Sequence, residues 1–265
     1  MSIGSIGIGS LSEERFGAPF ALWHIMSVAE AVVLRWAGIG VHVFTSLGSV
    51  CALFATLAVL DRAYELVFVW LFVALVIDAV DGAMARAVDI ETHVPRFSGE
   101  RLDLVIDYLT YVFVPVLALL RAEILAGWLG HLVAGLILLS SLYHFADTDS
   151  KADDNCFVGF PAVWNIVAFC LFAWGTPPLA AAMVSLVLVA LAFVPMHWIH
   201  PMRVGQFFVP SLVVTGAGLL AGVWILLTGF PGALVPASVL AVASLYFIVM
   251  AGGWTWLARK RAAGA

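Results

Sequence analysis

Charged residues are scarce in this sequence. Of its 265 residues, 11% are Asp, Glu, Lys or Arg and 63% are hydrophobic, whereas a typical soluble domain has about 25% charged and roughly 45–50% apolar residues. The 12 Lys and Arg residues form no basic stripe, so the sequence gives no support for a nucleic-acid partner. Its 3 cysteines have no CxxC spacing, and we interpret them as small hydrophobic residues of a core.

Long apolar runs, in contrast, are abundant. Each is close to the ~20 residues with which a helix crosses a ~30 Å hydrocarbon core. Short polar or Pro/Gly breaks such as DRAYE, GTPP and TGFPGA separate the runs. This pattern predicts an all-α, polytopic integral membrane helical bundle of about eight transmembrane helices. We expect the helices at approximately 41–60, 65–86, 100–120, 124–145, 157–175, 178–197, 207–228 and 234–257.

The N-terminal residues follow a different pattern. The opening segment MSIGSIGIGS predicts a disordered tail. After it, Phe16, Phe20 and Trp23 fall near one helical face while charged residues lie elsewhere, which is typical of an amphipathic helix lying flat at the membrane interface. A ninth, less hydrophobic span is the alternative. We therefore divide the chain into 1–36, a tail and interfacial amphipathic helix, and 37–265, the transmembrane domain.

The positive charges indicate how the bundle is oriented. With eight spans, 10 of the 12 Lys and Arg residues lie on the side that holds both termini, and only Arg62 and Arg121 lie on the other side. Lys and Arg are enriched in cytoplasmic loops. We therefore expect both termini and the loop 87–99 to face the cytoplasm.

Four aspartates interrupt the second and third apolar runs near that side. Asp78 and Asp81 lie three residues apart, and Asp103 and Asp107 lie four apart, so each pair occupies one face of its helix. The short loop 87–99 predicts an antiparallel hairpin that brings both pairs to a similar depth. Four carboxylates in one polar cavity repel each other unless a cation neutralises them, and hard divalent cations take oxygen ligands of this kind.

The aspartate cluster has two interpretations. Two-metal carboxylate sites stabilise in-line displacement at phosphorus, whereas intramembrane carboxylates also mark proton or cation pathways in transporters. The neighbouring residues favour phosphoryl chemistry. Gly82 and Ala85 leave room beside their helix, Arg86 carries a guanidinium that suits phosphate, and Gly99 opens a helix whose N-terminus favours an anion. No second cluster occurs in the later spans, which counts against a cation-coupled transporter.

These residues also form a motif that can be recognised. The series is Asp78-x2-Asp81-Gly82-x2-Ala85-Arg86 followed by Gly99-x3-Asp103-x3-Asp107. At every fixed position it resembles the signature of the CDP-alcohol phosphatidyltransferase family. Between Arg86 and Gly99 lie 12 residues, a longer gap than most of the family has. This gap and the expected eight spans resemble the bacterial phosphatidylcholine synthase branch of the family.

The resemblance implies an activity and the residues that carry it. Members of this branch transfer the phosphatidyl group of CDP-diacylglycerol to the hydroxyl of choline, giving phosphatidylcholine and CMP, with a divalent metal, Mn²⁺ or Mg²⁺, as cofactor. The family pattern makes Asp107 the catalytic base. The same pattern implies that the metal ligands are Asp78, Asp81, Asp103 and Asp107. The residues implied to bind the cytidine diphosphate are Gly82, Ala85, Arg86 and Gly99. His42 and Thr45 of the first span could also reach the nucleotide, and helix capping and packing are the alternative role for them.

The acceptor site is predicted from the chemistry of choline. A quaternary ammonium has no N–H to donate, so aromatic faces and carboxylates recognise it. The aromatic candidates, which could equally be interfacial anchors, are Tyr108, Tyr111, Tyr143 and Trp164. Other acceptors used within the family, namely serine, inositol and glycerol phosphate, are the alternatives to choline. The implied partners are CDP-diacylglycerol, choline, membrane lipids and a second copy in a homodimer. The implied location is the bacterial inner membrane, with the active site cytoplasmic.

Overall fold

The computed structural model describes residues 17–147, 156–199 and 207–263. Two short strands, β1 (Cys156–Val158) and β2 (His197–Ile199), pair antiparallel with Phe157 opposite Trp198. Everything else that is regular in the described residues is helical. The helices are α1 (Gly17–Leu60), α2 (Tyr64–Val88), α3 (Ile90–His93), α4 (Gly99–Asp107), a π-helix (Tyr108–Phe113), α5 (Val114–Arg121), α6 (Gly127–Ala146), α7 (Trp164–Ala173), α8 (Pro178–Ala192), α9 (Phe208–Thr228) and α10 (Leu234–Ala263).

Within the described ranges, 6 helices are long and apolar enough to cross a membrane, judged by length and composition. The prediction of an all-α, polytopic membrane protein is therefore confirmed. The six segments are Glu30–Leu60, Tyr64–Val88, Gly99–Arg121, Gly127–Ala146, Phe208–Thr228 and Leu234–Leu257.

The other two predicted spans correspond to shorter apolar helices. α7 has 10 residues and α8 has 15. At 1.5 Å per residue these helices are about 15 and 22 Å long, less than the ~30 Å of a hydrocarbon core. The chain before α7 is not helical, because Gly159 and Ala162 adopt positive φ angles of 81° and 55° and Pro161 between them has no N–H to donate. The helix lengths therefore do not confirm the predicted count of eight.

The first helix is much longer than the first predicted span. α1 has 44 residues and is about 66 Å long at 1.5 Å per residue. It is uninterrupted at the predicted division between residues 36 and 37. An interfacial position for its first part stays a prediction, because residues 1–16 and the side chains of residues 17–29 lie outside the described part of the chain.

The third span changes its helical type in the middle. α4 ends at Asp107, the π-helix follows, and α5 completes the span. Pro115 lies just after the π-helix. A proline has no N–H for the carbonyl four residues earlier, and its ring collides with that carbonyl in an α-helix. The π-helix thus lies directly before this proline.

Small residues let α1 lie close to its neighbours. Ala52, Ala55 and Ala58 are each at most 5% exposed and belong to the same buried cluster as Phe68 of α2. Gly48 faces α4, and a Cβ atom at this position would lie 2.5 Å from Cγ2 of Ile106. Small side chains at helix contacts allow backbones to approach closely in membranes. α1 is thereby held against the two helices that carry the aspartates.

The last two helices join the bundle near their ends. At one end, the Phe230 N–H donates to Glu65 Oε1 of α2 over 3.1 Å. At the other end, the His197 N–H of β2 donates to Thr255 Oγ1 of α10 over 2.8 Å. These bonds connect α9 and α10 to the bundle that contains the aspartates.

Candidate active site

Three of the four aspartates converge between α2 and α4. One carboxylate oxygen from each of Asp78, Asp103 and Asp107 lies within 4.8 Å of the other two. All three residues are partly buried. Oxygen atoms on opposite sides of one ion, at the ~2.0–2.6 Å typical of Mg²⁺ and Ca²⁺ ligands, are about 4–5 Å apart. The spacing and the hard oxygen donors therefore fit a divalent cation.

The fourth aspartate has a different environment. Asp81 is only 6% exposed, and it lies outside the group of three oxygens. The Thr45 hydroxyl of α1 lies within hydrogen-bonding reach of the Asp81 carboxylate and donates to the Val41 carbonyl over 3.2 Å. A single hydroxyl hydrogen has to serve both acceptors. Thr45, predicted from the sequence as a nucleotide contact, is thus placed directly beside the aspartate cluster.

The residues after Asp81 place a positively charged side chain, Arg86, at the same end of α2. Arg86 is exposed, one turn beyond Gly82. A Cβ atom at Gly82 would lie 3.4 Å from Nη1 of Arg86, so the guanidinium lies over the glycine. Ala85 packs instead against the buried cluster of Val41 and Ile90. Gly82 therefore provides the space in which the Arg86 side chain lies.

The 12-residue gap of the motif forms a compact connection. Asp89 ends α2 in the left-handed conformation, with φ 49°, which Asp tolerates better than most residues. The short helix α3 follows, and Ile90 and Val94 pack on Val41 of α1. A Cβ atom at Gly38 would lie 2.7 Å from Cγ2 of Val94, so this connection lies directly on α1.

α4 begins where this connection ends. The Ser98 hydroxyl accepts a hydrogen bond from the Arg101 N–H over 3.3 Å, which is the usual N-terminal cap of a helix. A Cβ atom at Gly99 would lie 3.4 Å from Cε1 of His42. Gly99 therefore allows the start of α4 to approach α1.

His42 carries a buried nitrogen without a partner. Its Nε2 atom has no hydrogen-bond partner among the described residues. The ring lies edge-on to Phe97, with centroids 6.2 Å apart. Buried polar atoms in native proteins are generally hydrogen-bonded. A polar ligand that reached this nitrogen would satisfy it, and the nucleotide contact expected of His42 stays a prediction.

The four predicted choline-site residues lie in different environments. Tyr111 donates to Asp78 Oδ2 over 2.8 Å, and Tyr108 donates to the Leu138 carbonyl over 3.2 Å. Tyr143 is 70% exposed, whereas Trp164 is only 1% exposed and packs against Phe160 with ring centroids 5.4 Å apart. The structure thus places Tyr111 at the aspartate group and Trp164 in the hydrophobic core.

The bond between Tyr111 and Asp78 was not predicted from the sequence. A signal for it exists, because Tyr111 follows Asp107 at the same spacing of four that separates Asp107 from Asp103. Residues four apart share a helical face.

Comparison with known proteins identifies the family. No family model matches the chain. The chain is 46% identical over 171 residues to a phosphatidylcholine synthase of Bradyrhizobium diazoefficiens, covering 64% of each protein. It is 39% identical over 212 residues to that of Pseudomonas aeruginosa, covering 80% of this chain and 87% of the relative. The chain belongs to the phosphatidylcholine synthase family. The enzyme of Agrobacterium fabrum matches at 37% identity over 190 residues, 72% of this chain and 79% of the relative.

Phosphatidylcholine synthases are phosphatidyltransferases of phospholipid biosynthesis. The resemblance found in the motif is therefore confirmed by relatives that match most of the chain. The match to the Bradyrhizobium phosphatidylcholine synthase spans just under two thirds of that relative's own length.

Proposed function

We propose that the protein transfers the phosphatidyl group of CDP-diacylglycerol to the hydroxyl of choline, releasing CMP and phosphatidylcholine. The observation that supports this most strongly is the convergence of the Asp78, Asp103 and Asp107 carboxylates in a chain related to phosphatidylcholine synthases. Such a group of carboxylates suits a reaction whose substrate carries a diphosphate.

The residues that would hold a divalent cation, Mn²⁺ or Mg²⁺, are Asp78, Asp103 and Asp107, with Asp81 as the fourth predicted ligand. When bound, the ion neutralises charge on the diphosphate and makes CMP a better leaving group. The chain itself supplies Arg86, an exposed guanidinium of the kind that binds phosphate oxygens in a fork. Gly82 keeps the space beside this guanidinium free of a side chain.

The nucleotide part of the donor is assigned to the border between α1 and the start of α4. His42 offers its buried Nε2, which has no partner among the described residues, and Gly99 lets the start of α4 lie against the His42 ring. Thr45 reaches the aspartates from the same helix. These positions support donor binding across α1, α2 and α4, with Ala85 shaping the wall on α2.

Asp107 is proposed as the catalytic base. The choline hydroxyl is hardly ionised at neutral pH and is a weak nucleophile. As its oxygen bonds to the phosphorus of the phosphatidyl group, the bond from that phosphorus to the CMP oxygen breaks, and the choline proton passes to a carboxylate oxygen of Asp107. General base catalysis of this kind contributes about 10²–10⁴-fold to a rate. Asp107 is partly buried at the end of α4, directly before Tyr108.

The location of the reaction is also proposed. The excess of Lys and Arg on one side supports a multi-pass position in the bacterial inner membrane, with both termini and the aspartates on the cytoplasmic side. CDP-diacylglycerol and the product then remain in the lipid phase. Choline and CMP exchange with the cytoplasm. Tyr108 and Tyr143 remain the candidates for contacts with the ammonium group, because Trp164 is buried in the hydrophobic core and Tyr111 donates to Asp78.

The acceptor assay tests the proposal. Purified protein is incubated with CDP-diacylglycerol and, separately, with radiolabelled choline, serine, inositol and glycerol phosphate. We expect labelled lipid with choline alone. Labelled lipid with another acceptor, and none with choline, would leave the phosphatidyl transfer in place and reject the acceptor. Absence of any labelled lipid, with the wild-type Pseudomonas relative active beside it, would reject the proposed reaction.

A further inference from the structure

We propose that Tyr111 is a positioning residue for the metal site. Its hydroxyl holds the Asp78 carboxylate in the orientation in which Asp78 can share a divalent cation with Asp103 and Asp107. This inference rests on the proposed function, which places a cation among these three carboxylates. It assigns Tyr111 to the metal site and not to the choline site for which its aromatic ring was considered.

The contact joins two different helices. The Tyr111 hydroxyl, in the third span, donates to Asp78 Oδ2 of α2 over 2.8 Å. Asp103 and Asp107 share α4, whereas Asp78 is the member of the group that comes from another helix. A hydrogen bond to one oxygen restrains rotation of the carboxylate and leaves its other lone pairs for a cation. Tyr111 therefore couples the position of Asp78 to the span that carries the other two ligands.

The π-helix places Tyr111 where it can make this contact. In an uninterrupted α-helix, Tyr111 would lie about 80° around the axis from Asp103, because eight residues at 3.6 per turn advance that far beyond two whole turns. A π turn contains more residues, so each residue advances through a smaller angle. The π-helix of Tyr108–Phe113 thus keeps Tyr111 nearer the face that carries Asp103 and Asp107.

The chemistry of the contact suits a supporting role. A phenol donates one hydrogen bond and adds no charge at neutral pH, so it orients a carboxylate without competing with a cation for the site. Groups that hold metal-ligating side chains in place typically change metal affinity or activity by about 10–100-fold when they are removed. Tyr111→Phe removes only the hydroxyl and keeps the ring in its packing position.

The test measures metal binding directly. Chelator-stripped, detergent-purified full-length protein is titrated with Mn²⁺, and the free ion is followed by electron paramagnetic resonance. We expect the Mn²⁺ dissociation constant of Tyr111→Phe to rise about 10–100-fold. Tyr246→Phe is the matched control, because it removes another tyrosine hydroxyl within the membrane helices, 3.0 Å from Ser211 Oγ, and should leave Mn²⁺ affinity unchanged. The KM for choline should also stay unchanged in Tyr111→Phe.

A second variant shows whether the effect passes through Asp78. In an Asp78→Asn background, adding Tyr111→Phe should weaken Mn²⁺ binding no further, because the oriented carboxylate is already absent. Equal Mn²⁺ affinity in wild type and Tyr111→Phe, or a full additional loss in the Asp78→Asn background, would overturn the inference. A raised KM for choline with unchanged Mn²⁺ affinity would also overturn it. Wild-type protein that binds no Mn²⁺ would instead reject the metal site of the proposed function.

Discussion

Replacing Gly48 by alanine should disturb the site through the contact between α1 and α4. The new Cβ would lie 2.5 Å from Cγ2 of Ile106, whereas carbon atoms in contact are about 3.5–4.0 Å apart. The two helices must separate by about 1 Å, or Ile106 must move. Ile106 lies between Asp103 and Asp107 on α4, so either movement displaces the aspartates.

Gly40→Ala provides the matched control for this prediction. Gly40 lies on the same helix, and a Cβ there would meet no atom within 4 Å. In both variants, alanine favours the helix over glycine by roughly 0.5–1 kcal/mol, so this gain cancels in the comparison. Overpacking at Gly48 costs about 1–3 kcal/mol. We therefore expect Gly48→Ala to be less stable than Gly40→Ala by about 1–3 kcal/mol.

The assay combines thermal unfolding in detergent with turnover at saturating substrates. A displacement of about 1 Å in a catalytic group can lower a rate by ~10²-fold, and we expect a loss approaching this in Gly48→Ala. Gly40→Ala should retain wild-type turnover. Adding Ile106→Ala removes the colliding methyl group and should restore part of the activity. Equal stability and turnover in the Gly48→Ala and Gly40→Ala proteins would refute the close packing of α1 on α4.

Two further predictions concern the base and the orientation. Asp107→Asn should keep binding of CDP-diacylglycerol in calorimetry while turnover at saturating choline falls at least ~10²-fold, the low end for a lost general base; near-wild-type turnover would remove Asp107 from this role. In a background without the native cysteines, a cysteine at exposed Thr92 should react with a membrane-impermeant thiol reagent only after the cytoplasmic face is opened. A cysteine at exposed Thr228 should react in cells whose outer barrier is permeabilised, and the reverse labelling pattern would contradict the proposed orientation.

Hydropathy predicts the long apolar helices well. The segments Tyr64–Val88 and Gly127–Ala146 agree within a few residues with the predicted spans, because length and apolar content determine whether a helix can cross a bilayer. Hydropathy does not distinguish contact with lipid from burial in protein. Phe160 and Ala162 are at most 4% exposed, so the apolar chain before α7 can lie inside the protein without being helical.

For the candidate site, local spacing predicted which aspartates share a helix face, and the short loop 87–99 predicted that the two pairs meet. It did not predict that Asp81 would lie apart, beside Thr45, because that depends on how α1 packs on α2. The bond from Tyr111 to Asp78 depends on a π-helix before Pro115, whose wider turn shifts every later side chain around the axis. The position of Asp81 comes from contacts between helices, which helical periodicity alone does not specify.

The central claim is that the aspartates of α2 and α4 hold a divalent cation needed for transfer of the phosphatidyl group to choline. The measurement that tests it most directly is formation of labelled phosphatidylcholine from CDP-diacylglycerol and choline by purified protein, before and after chelation. We expect excess chelator to abolish product formation and added Mn²⁺ or Mg²⁺ to restore it. Asp78→Asn should require more metal for the same rate, because a neutral amide is a poorer ligand for a hard cation. Full phosphatidylcholine formation in excess chelator would contradict the account.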